Sequence, residues 1–257
     1  MRMASPYFTL VSLLAERTAE LHRALGRSSL EPGFGQQPFT VLHQHSIYQT
    51  AHAALARTFV QLREKLPGLP PVSQELAQTA LGLESALDGK LRKITSSKLD
   101  VTRIRCHGDY HLGQVLFTGD DFVIIDFEGE PGRSAAERRY KRSPLRDVAG
   151  MLRSFAYAVD SALGSERVRP EDRPRLAPWA EAFRAWVCVD FVRTYLAGID
   201  GQAYAPRTAA SARTLLEFFE LEKAIYEVNY ELNNRPAFIG IPLTGLLRIA
   251  GDGAQPS

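Results

Sequence analysis

The chain has 257 residues, 45% of them apolar, enough to bury a substantial core as one large domain or one and a half. Its 31 basic and 29 acidic residues leave a formal charge of +2, too small to argue for nucleic acid or a membrane surface as a partner. Cys106 and Cys188 have no metal or redox spacing, and neither a secretory leader nor a long apolar span is read in the sequence, so a reducing cytoplasm is the simplest home.

Helical periodicity dominates. Leu10, Leu14, Leu21 and Leu25 predict one face of a first helix ending near Gly26, followed by a Gly/Pro/Gln-rich loop over residues 31–38. Ile47, Ala51, Leu55, Phe59 and Leu62 mark a second helix, stopped by Pro67-Gly68 and Pro70-Pro71; Leu76, Ala80, Leu83, Leu87 and Leu91 mark a third. An apolar stretch over 101–106 then leads into a loop. Two short strands follow, joined at Gly119-Asp120-Asp121. Val148, Leu152, Phe155 and Val159 predict another helix, and two long helical stretches cover about 178–197 and 206–233. Pro236 and Pro242 then predict an extended tail. The fold class is α+β and mostly α-helical. Its segments are a helical part over 1–100, a loop-and-hairpin part over 101–147, a second helical part over 148–250 and a tail over 251–257.

The chemistry is concentrated in Cys106-His107-Gly108-Asp109-Tyr110-His111-Leu112-Gly113-Gln114-Val115-Leu116-Phe117 and in Ile124-Ile125-Asp126-Phe127-Glu128-Gly129. A phosphoryl group in flight spreads charge over its oxygens, so a protein contributes mainly positioning and charge neutralisation. Asp109, in a loop, suits the orientation of an acceptor hydroxyl and late removal of its proton. Gln114 offers an amide oxygen and Asp126 a carboxylate to one hard cation, and the hairpin between them brings loop and carboxylate together. The pattern reads as ATP-dependent phosphoryl transfer, with ATP as co-substrate and Mg²⁺ as the cation. Glu128 reads equally as a ligand of a second cation, a contact to a sugar hydroxyl, or a hydrogen bond within the loop. His107 orients the loop through its ring nitrogens. His111 faces substrate or serves structure.

The His-Gly-Asp motif, the amide five residues later and the strand ending in Ile-Asp-Phe-Glu resemble the kinases of the aminoglycoside and choline phosphotransferase group. Gln114 stands where most of that group has Asn. The blocks His107 to Leu116 and Asp126-Phe127-Glu128-Gly129-Glu130-Pro131, with the run from Lys141 to Phe155 and that from Leu221 to Glu231, look like maltokinase. The resemblance covers about residues 7–248. It implies phosphorylation of maltose to maltose 1-phosphate, which feeds α-glucan synthesis, on a protein-kinase-like C-terminal lobe often fused to trehalose synthase. It also favours a sugar-binding role for Tyr226, Glu227, Tyr230 and, beside them, Arg235; an amphipathic helix with its aromatics on the core is the alternative.

A complete kinase of this type needs an upstream β-rich lobe with a phosphate-covering loop and a lysine. Before Asp109 the sequence reads as helix only, so the N-lobe is expected to be missing, with a fused domain as a possible source, and little turnover is expected from this chain alone. Residues 133–146 occupy the place of an activation segment. They hold Arg133, Arg138, Arg139, Lys141, Arg142 and Arg146 beside Glu130, Glu137 and Asp147, mostly as internally paired surface, with Asp147 anchoring or capping the loop. Competing readings are a noncatalytic sugar-binding or interaction module, a kinase for an aminoglycoside or amino alcohol, and a metal-dependent hydrolase using His107, Asp109 and His111. The last ranks lowest because no histidine follows His111.

Overall fold

The structure, a computed structural model, describes residues 5–27, 33–129 and 134–251; Glu31, Glu130, Arg133 and the tail beyond Gly251 lie outside the described residues. In chain order the elements are α1 (Ser5–Leu25), β1 (Gln37–Pro38), α2 (Val41–Lys65), α3 (Pro71–Gly82), α4 (Glu84–Arg92), β2 (Thr102–Arg103), β3 (Val115–Phe117), β4 (Phe122–Ile124), α5 (Ala135–Arg138), α6 (Leu145–Gly164), α7 (Arg173–Gly198), α8 (Ala209–Asn234) and α9 (Gly240–Gly251). They form two compact units. Unit 1 takes Met1–Phe39 and Asp100–Arg207; unit 2 takes Thr40–Leu99 and Thr208–Ser257. Each is assembled from two separate stretches of chain.

Unit 1 packs α7 against α1 and α6. Val148, Met151, Leu152 and Phe155 of α6 are buried together with Val187, Phe191 and Tyr195 of α7, and Phe155 meets Phe191 edge to face with ring centroids 5.4 Å apart. On α1 the buried stripe runs through Val11, Leu14, Ala15, Thr18, Ala19 and His22, so Leu14 alone of the four leucines lies on it. Leu10, Leu21 and Leu25 are only half-buried. Small side chains explain the shift. A methyl group added at Gly198 of α7 would lie 2.7 Å from the Ala19 methyl, so the two helices meet where neither carries bulk.

The β content is slight. The Gly/Pro-rich loop, expected to be irregular, supplies β1, which pairs antiparallel with β2 in the register Gln37 to Arg103 and Pro38 to Thr102. The apolar stretch 101–106 therefore forms only two strand residues, after which Ile104 bridges Arg142 through paired backbone bonds of 2.9 Å. A second ladder, β3 with β4, aligns Val115 with Ile124 and Phe117 with Phe122. Its turn closes through Thr118 N–H to Asp121 O at 2.9 Å, where the sequence predicts it.

In unit 2, α8 contacts α2, α4 and α9, and α9 also packs on α3. Leu55, Phe59 and Leu62 of α2, Leu87 and Leu91 of α4, and Leu215, Phe218, Leu221, Ile225 and Val228 of α8 supply the buried core. Two expectations change here. The third helix is two, because Leu83, following Gly82, leaves the helical region at φ −102°, ψ 8°. The extended tail is α9, a helix with Leu243 and Leu246 buried. Pro242 is its third residue, in the first turn, where no intrahelical partner awaits the missing N–H. Among the described residues no helix is long and apolar enough to cross a membrane.

Ala19→Leu tests the α1–α7 contact. With no room beside Gly198, the substitution is expected to cost about 1–3 kcal/mol, read as a lowered denaturant midpoint; a neutral result would mean that the helices are free to separate.

Candidate active site

The loop from His107 to Gln114 is held from beneath by one carboxylate. Asp147 lies in the first turn of α6 and is 2% exposed. Its Oδ2 accepts the His107 N–H at 2.7 Å and its Oδ1 the Gly108 N–H at 3.0 Å, so two consecutive loop amides close on a single side chain. His22, fully buried on α1, reaches the same Oδ2 with Nε2 at 3.1 Å and the Tyr195 hydroxyl with Nδ1 at 2.8 Å. A carboxylate only accepts, so His22 Nε2 donates. Burial pushes the Asp147 carboxyl upward, but the His22 hydrogen bond, the neighbouring imidazoles of His22 and His107 and the Gly108 amide outweigh it and hold the group below its ordinary value. Burial lifts the Tyr195 hydroxyl well above its usual range, which keeps it a donor.

The loop backbone fits this anchor closely. Gly108 sits at φ +93°, where a side chain would be strained and its Cβ would come within 3.3 Å of Gly129 Cα. Arg146 Nη1 donates to Gly108 O at 2.9 Å. Gly150 lets α6 run beneath the loop, since a Cβ there would lie 2.7 Å from Tyr110 O. Tyr110 points inward, and its hydroxyl meets the Thr18 hydroxyl at 2.8 Å; that hydroxyl donates onward to Leu14 O. The His107 ring is committed to backbone. Its Nε2 donates to Ile125 O at 2.8 Å and its Nδ1 is left to accept the Asp109 N–H at 3.4 Å.

The Gln114 and Asp126 side chains come together, with Gln114 Nε2 2.8 Å from Asp126 Oδ2. The hairpin brings this about, because the two residues flank β3 and β4 and Ile125 N–H bonds Gln114 O at 3.0 Å. The tip of the hairpin is tied to α1 through Arg17 Nε and Asp121 Oδ1 at 2.7 Å. Asp126 has φ +64°, and among the described residues it alone, apart from glycines, has a positive φ. A carboxylate held in that region is of the kind stored at functional sites, at a cost on the order of 1–2 kcal/mol.

Asp109 retains a partly exposed carboxylate, with His111 Nε2 3.8 Å from its Oδ2, close enough for attraction but too far for a hydrogen bond. His111 Nδ1 accepts the Gly113 N–H at 3.0 Å and caps the short turn Leu112–Gln114. Glu128 is 82% exposed and lies 3.9 Å from Arg138 Nη1. Among the described residues no group of three or more His, Cys, Asp and Glu is placed to hold a metal ion. One carboxylate and one amide fit Mg²⁺, which keeps waters and is commonly completed by substrate phosphates. They do not fit the ligand cage that the hydrolase reading needs, and the His107 ring has no nitrogen left for it.

The other candidate residues lie on α8 and just beyond it, in unit 2. Tyr226 and Tyr230 are exposed and stacked, their centroids 6.3 Å apart and planes at 24°. Lys223 Nζ stands 4.7 Å over the Tyr226 ring. Arg235 lies over Tyr230 and Phe238 at 5.5 and 5.6 Å while its Nε donates to the buried Glu231 at 3.0 Å. Glu227, between the tyrosines in sequence, is half-buried. Sequence reasoning missed His22, Thr18 and Tyr195, the polar groups beneath the loop. A faint signal existed: Thr18 and His22 are four apart and in line with Leu14, polar residues on a buried stripe.

The family model for the phosphotransferase enzyme family (APH) matches residues 7–179, and the chain belongs to that family. A glucosamine kinase of Mycolicibacterium smegmatis is 26% identical over 200 residues, covering 70% of this chain and 46% of that protein. A glucosamine kinase of Streptacidiphilus jiangxiensis is 28% identical over 154 residues, covering 56% of this chain and 32% of that protein. Among solved structures, a glucosamine kinase in complex with glucosamine, ADP and inorganic phosphate matches with TM-score 0.72 at 20% identity, over 95% of this chain and 52% of that chain. The chain thus shares the fold and spans about half the length, or less, of the relatives it matches.

Replacing Asp147 with Asn is expected to cost about 3 kcal/mol at pH 7, because two loop amides lose a charged acceptor and His22 loses its partner. The sign with pH follows from the lowered carboxyl. Its contribution is complete above the ordinary value near ~3.9 and is lost as pH falls through the lower folded value, so the wild type should lose stability below about pH 4 and Asp147→Asn should lose less. Denaturant unfolding at neutral and acid pH reads both. Parallel pH curves for the two proteins would contradict the assignment.

Proposed function

We propose that this chain carries the catalytic loop, the cation ligands and the acceptor-contacting surface of an ATP-dependent sugar kinase. The observation that carries the reading is the meeting of Gln114 and Asp126 at 2.8 Å, on a hairpin continuous with the Asp109 loop. Family membership supports it. Asp109 orients the sugar hydroxyl and takes its proton late in the transfer. Its reach is fixed because the backbone before it is pinned to Asp147 and the backbone at it to the His107 ring. His107 positions and does not transfer protons. Gln114 and Asp126 would hold Mg²⁺ through their oxygens, and the cation when bound there neutralises charge on the ATP phosphates. Glu128 stands on the same loop as an additional oxygen donor for the cation or the acceptor, and His111 borders Asp109 on the acceptor side. In unit 2 the stacked Tyr226 and Tyr230 offer faces for the C–H patches of a sugar, with Glu227 and Arg235 as polar contacts.

The curated relatives named above are glucosamine kinases, which makes an amino sugar the first choice of acceptor. Maltose is the second, favoured by the motif blocks around Asp126-Phe127-Glu128-Gly129 and Leu221 to Glu231.

Two measurements test this reading. Calorimetry with ADP and Mg²⁺ is expected to give binding that Asp126→Asn weakens at least tenfold and Asp109→Asn leaves within about twofold, since of these two carboxylates Asp126 is the one that would hold the cation. Transfer from ATP to glucosamine or maltose, followed as ADP release, is expected to fall about 10²–10⁴-fold in Asp109→Asn whatever the absolute rate of the wild type. Unchanged turnover in that variant would remove Asp109 from the chemistry, and Mg²⁺-independent ADP binding would remove Gln114 and Asp126.

A further inference from the structure

Helix α7 buries Val187, Phe191 and Tyr195 within unit 1 and turns a second apolar face to solvent. Trp179 is 75% exposed, Trp186 62% and Val189 58%, and Ala182 is exposed between the tryptophans. Spacings of three and four residues put all four on one stripe. Trp179 and Trp186, seven residues apart, stand about 10 Å from each other along the axis. Two tryptophans left in water two turns apart are a costly arrangement for a surface with no partner.

The charges around this stripe point to what covers it. Asp172 and Arg175 pair at one end, 3.3 Å apart, and Asp190 and Arg193 at the other, 3.0 Å apart; the Arg175 and Arg193 side chains are each 78% exposed. About a point between Ala182 and Phe183 the sequence is self-complementary. Trp179 mirrors Trp186, Arg175 mirrors Asp190, and Asp172 mirrors Arg193. A helix with that pattern fits an antiparallel copy of itself. Each tryptophan then meets its counterpart, and the exposed Arg175 and Arg193 of one copy approach Asp190 and Asp172 of the other, carboxylates 16% and 23% exposed that are also held within their own copy by Ser12 and Arg169.

We propose that α7 is the surface through which two copies of this chain pair, antiparallel, about a two-fold axis between Ala182 and Phe183. Ala182 and Ala185 at the centre let the helices approach to the usual 8–10 Å. Parallel pairing would set Arg175 on Arg175 and Arg193 on Arg193, so like charges select the antiparallel form. Two tryptophans per copy bury on the order of 300 Å² on each side. Even with the flanking charges this falls below a standard specific interface, so the dimer is weak and concentration-dependent, with a Kd on the order of 10–100 µM. The inference is independent of the kinase reading.

Analytical ultracentrifugation of the full chain from about 1 to about 200 µM tests it. The expected result is a mass rising from one copy to two and no further, with Trp186→Ala raising the Kd at least tenfold. Arg193→Asp, which sets Asp against Asp172 of the second copy, should weaken pairing similarly, and adding Asp172→Arg to it should restore pairing to within a few fold of wild type. Thermal unfolding of each variant checks that it is folded. A single-copy mass throughout, a dimer indifferent to Trp186→Ala, a double swap as weak as the single one, or growth beyond two copies would each overturn the proposal.

Discussion

One buried carboxylate sets the geometry of this site. Asp147 accepts two consecutive backbone amides, those of His107 and Gly108, and draws its compensating donor from His22 on a helix 125 residues earlier in the chain. An ionised carboxylate away from water is stable only when such donors surround it. The same donors fix the loop. With the His107 and Gly108 amides facing Asp147, Gly108 takes a positive φ, Tyr110 turns into the core to meet Thr18, and the Asp109 side chain between them stays partly exposed. Gly150 is needed by the same arrangement, because α6 carries Asp147 and must lie against Tyr110 O to deliver it.

The second constraint is the hairpin. It returns the chain after Gln114 so that Asp126 arrives beside it, and the His107 ring, bonded to Ile125 O, ties the return strand back to the loop. Loop and carboxylate are therefore one rigid piece, locked by backbone bonds that do not involve the groups expected to do chemistry. That division is what phosphoryl transfer asks of a protein, since misplacement by an ångström is costly and covalent work is slight. Asp126 keeps a backbone conformation that most residues avoid, with its exposed carboxylate held by the Gln114 amide.

The sequence made α2 and α6 legible through sustained apolar periods, whereas α7 and α8 were readable only as long stretches without strand or turn signals, α7 because apolar side chains lie on two opposite faces. It also made the hairpin legible through Gly119-Asp120-Asp121. It misjudged three of the four leucines of α1, where Ala15, Thr18 and Ala19 join Leu14 as the packed face; small residues at a close helix contact leave no hydrophobic signature. Pro242 argued against a helix that α9 forms, since a proline's meaning depends on its distance from a helix start that the sequence did not reveal. The meeting of Gln114 and Asp126 was readable because the turn at Gly119-Asp120-Asp121 returns the chain beside Gln114. His22 and Tyr195 were not, because their partnership with Asp147 exists only once α1, α6 and α7 are packed together.

The central claim is that Gln114 and Asp126 share one divalent cation beside Asp109. A crystal of the chain grown with ADP and Mn²⁺, a cation that suits the same oxygen ligands and is visible by anomalous scattering, addresses it directly. The account predicts an anomalous peak about 2.0–2.3 Å from an oxygen of both side chains, with ADP phosphate completing the shell. A peak bound elsewhere on the chain, or one held by phosphate with neither Gln114 nor Asp126 in contact, would contradict it.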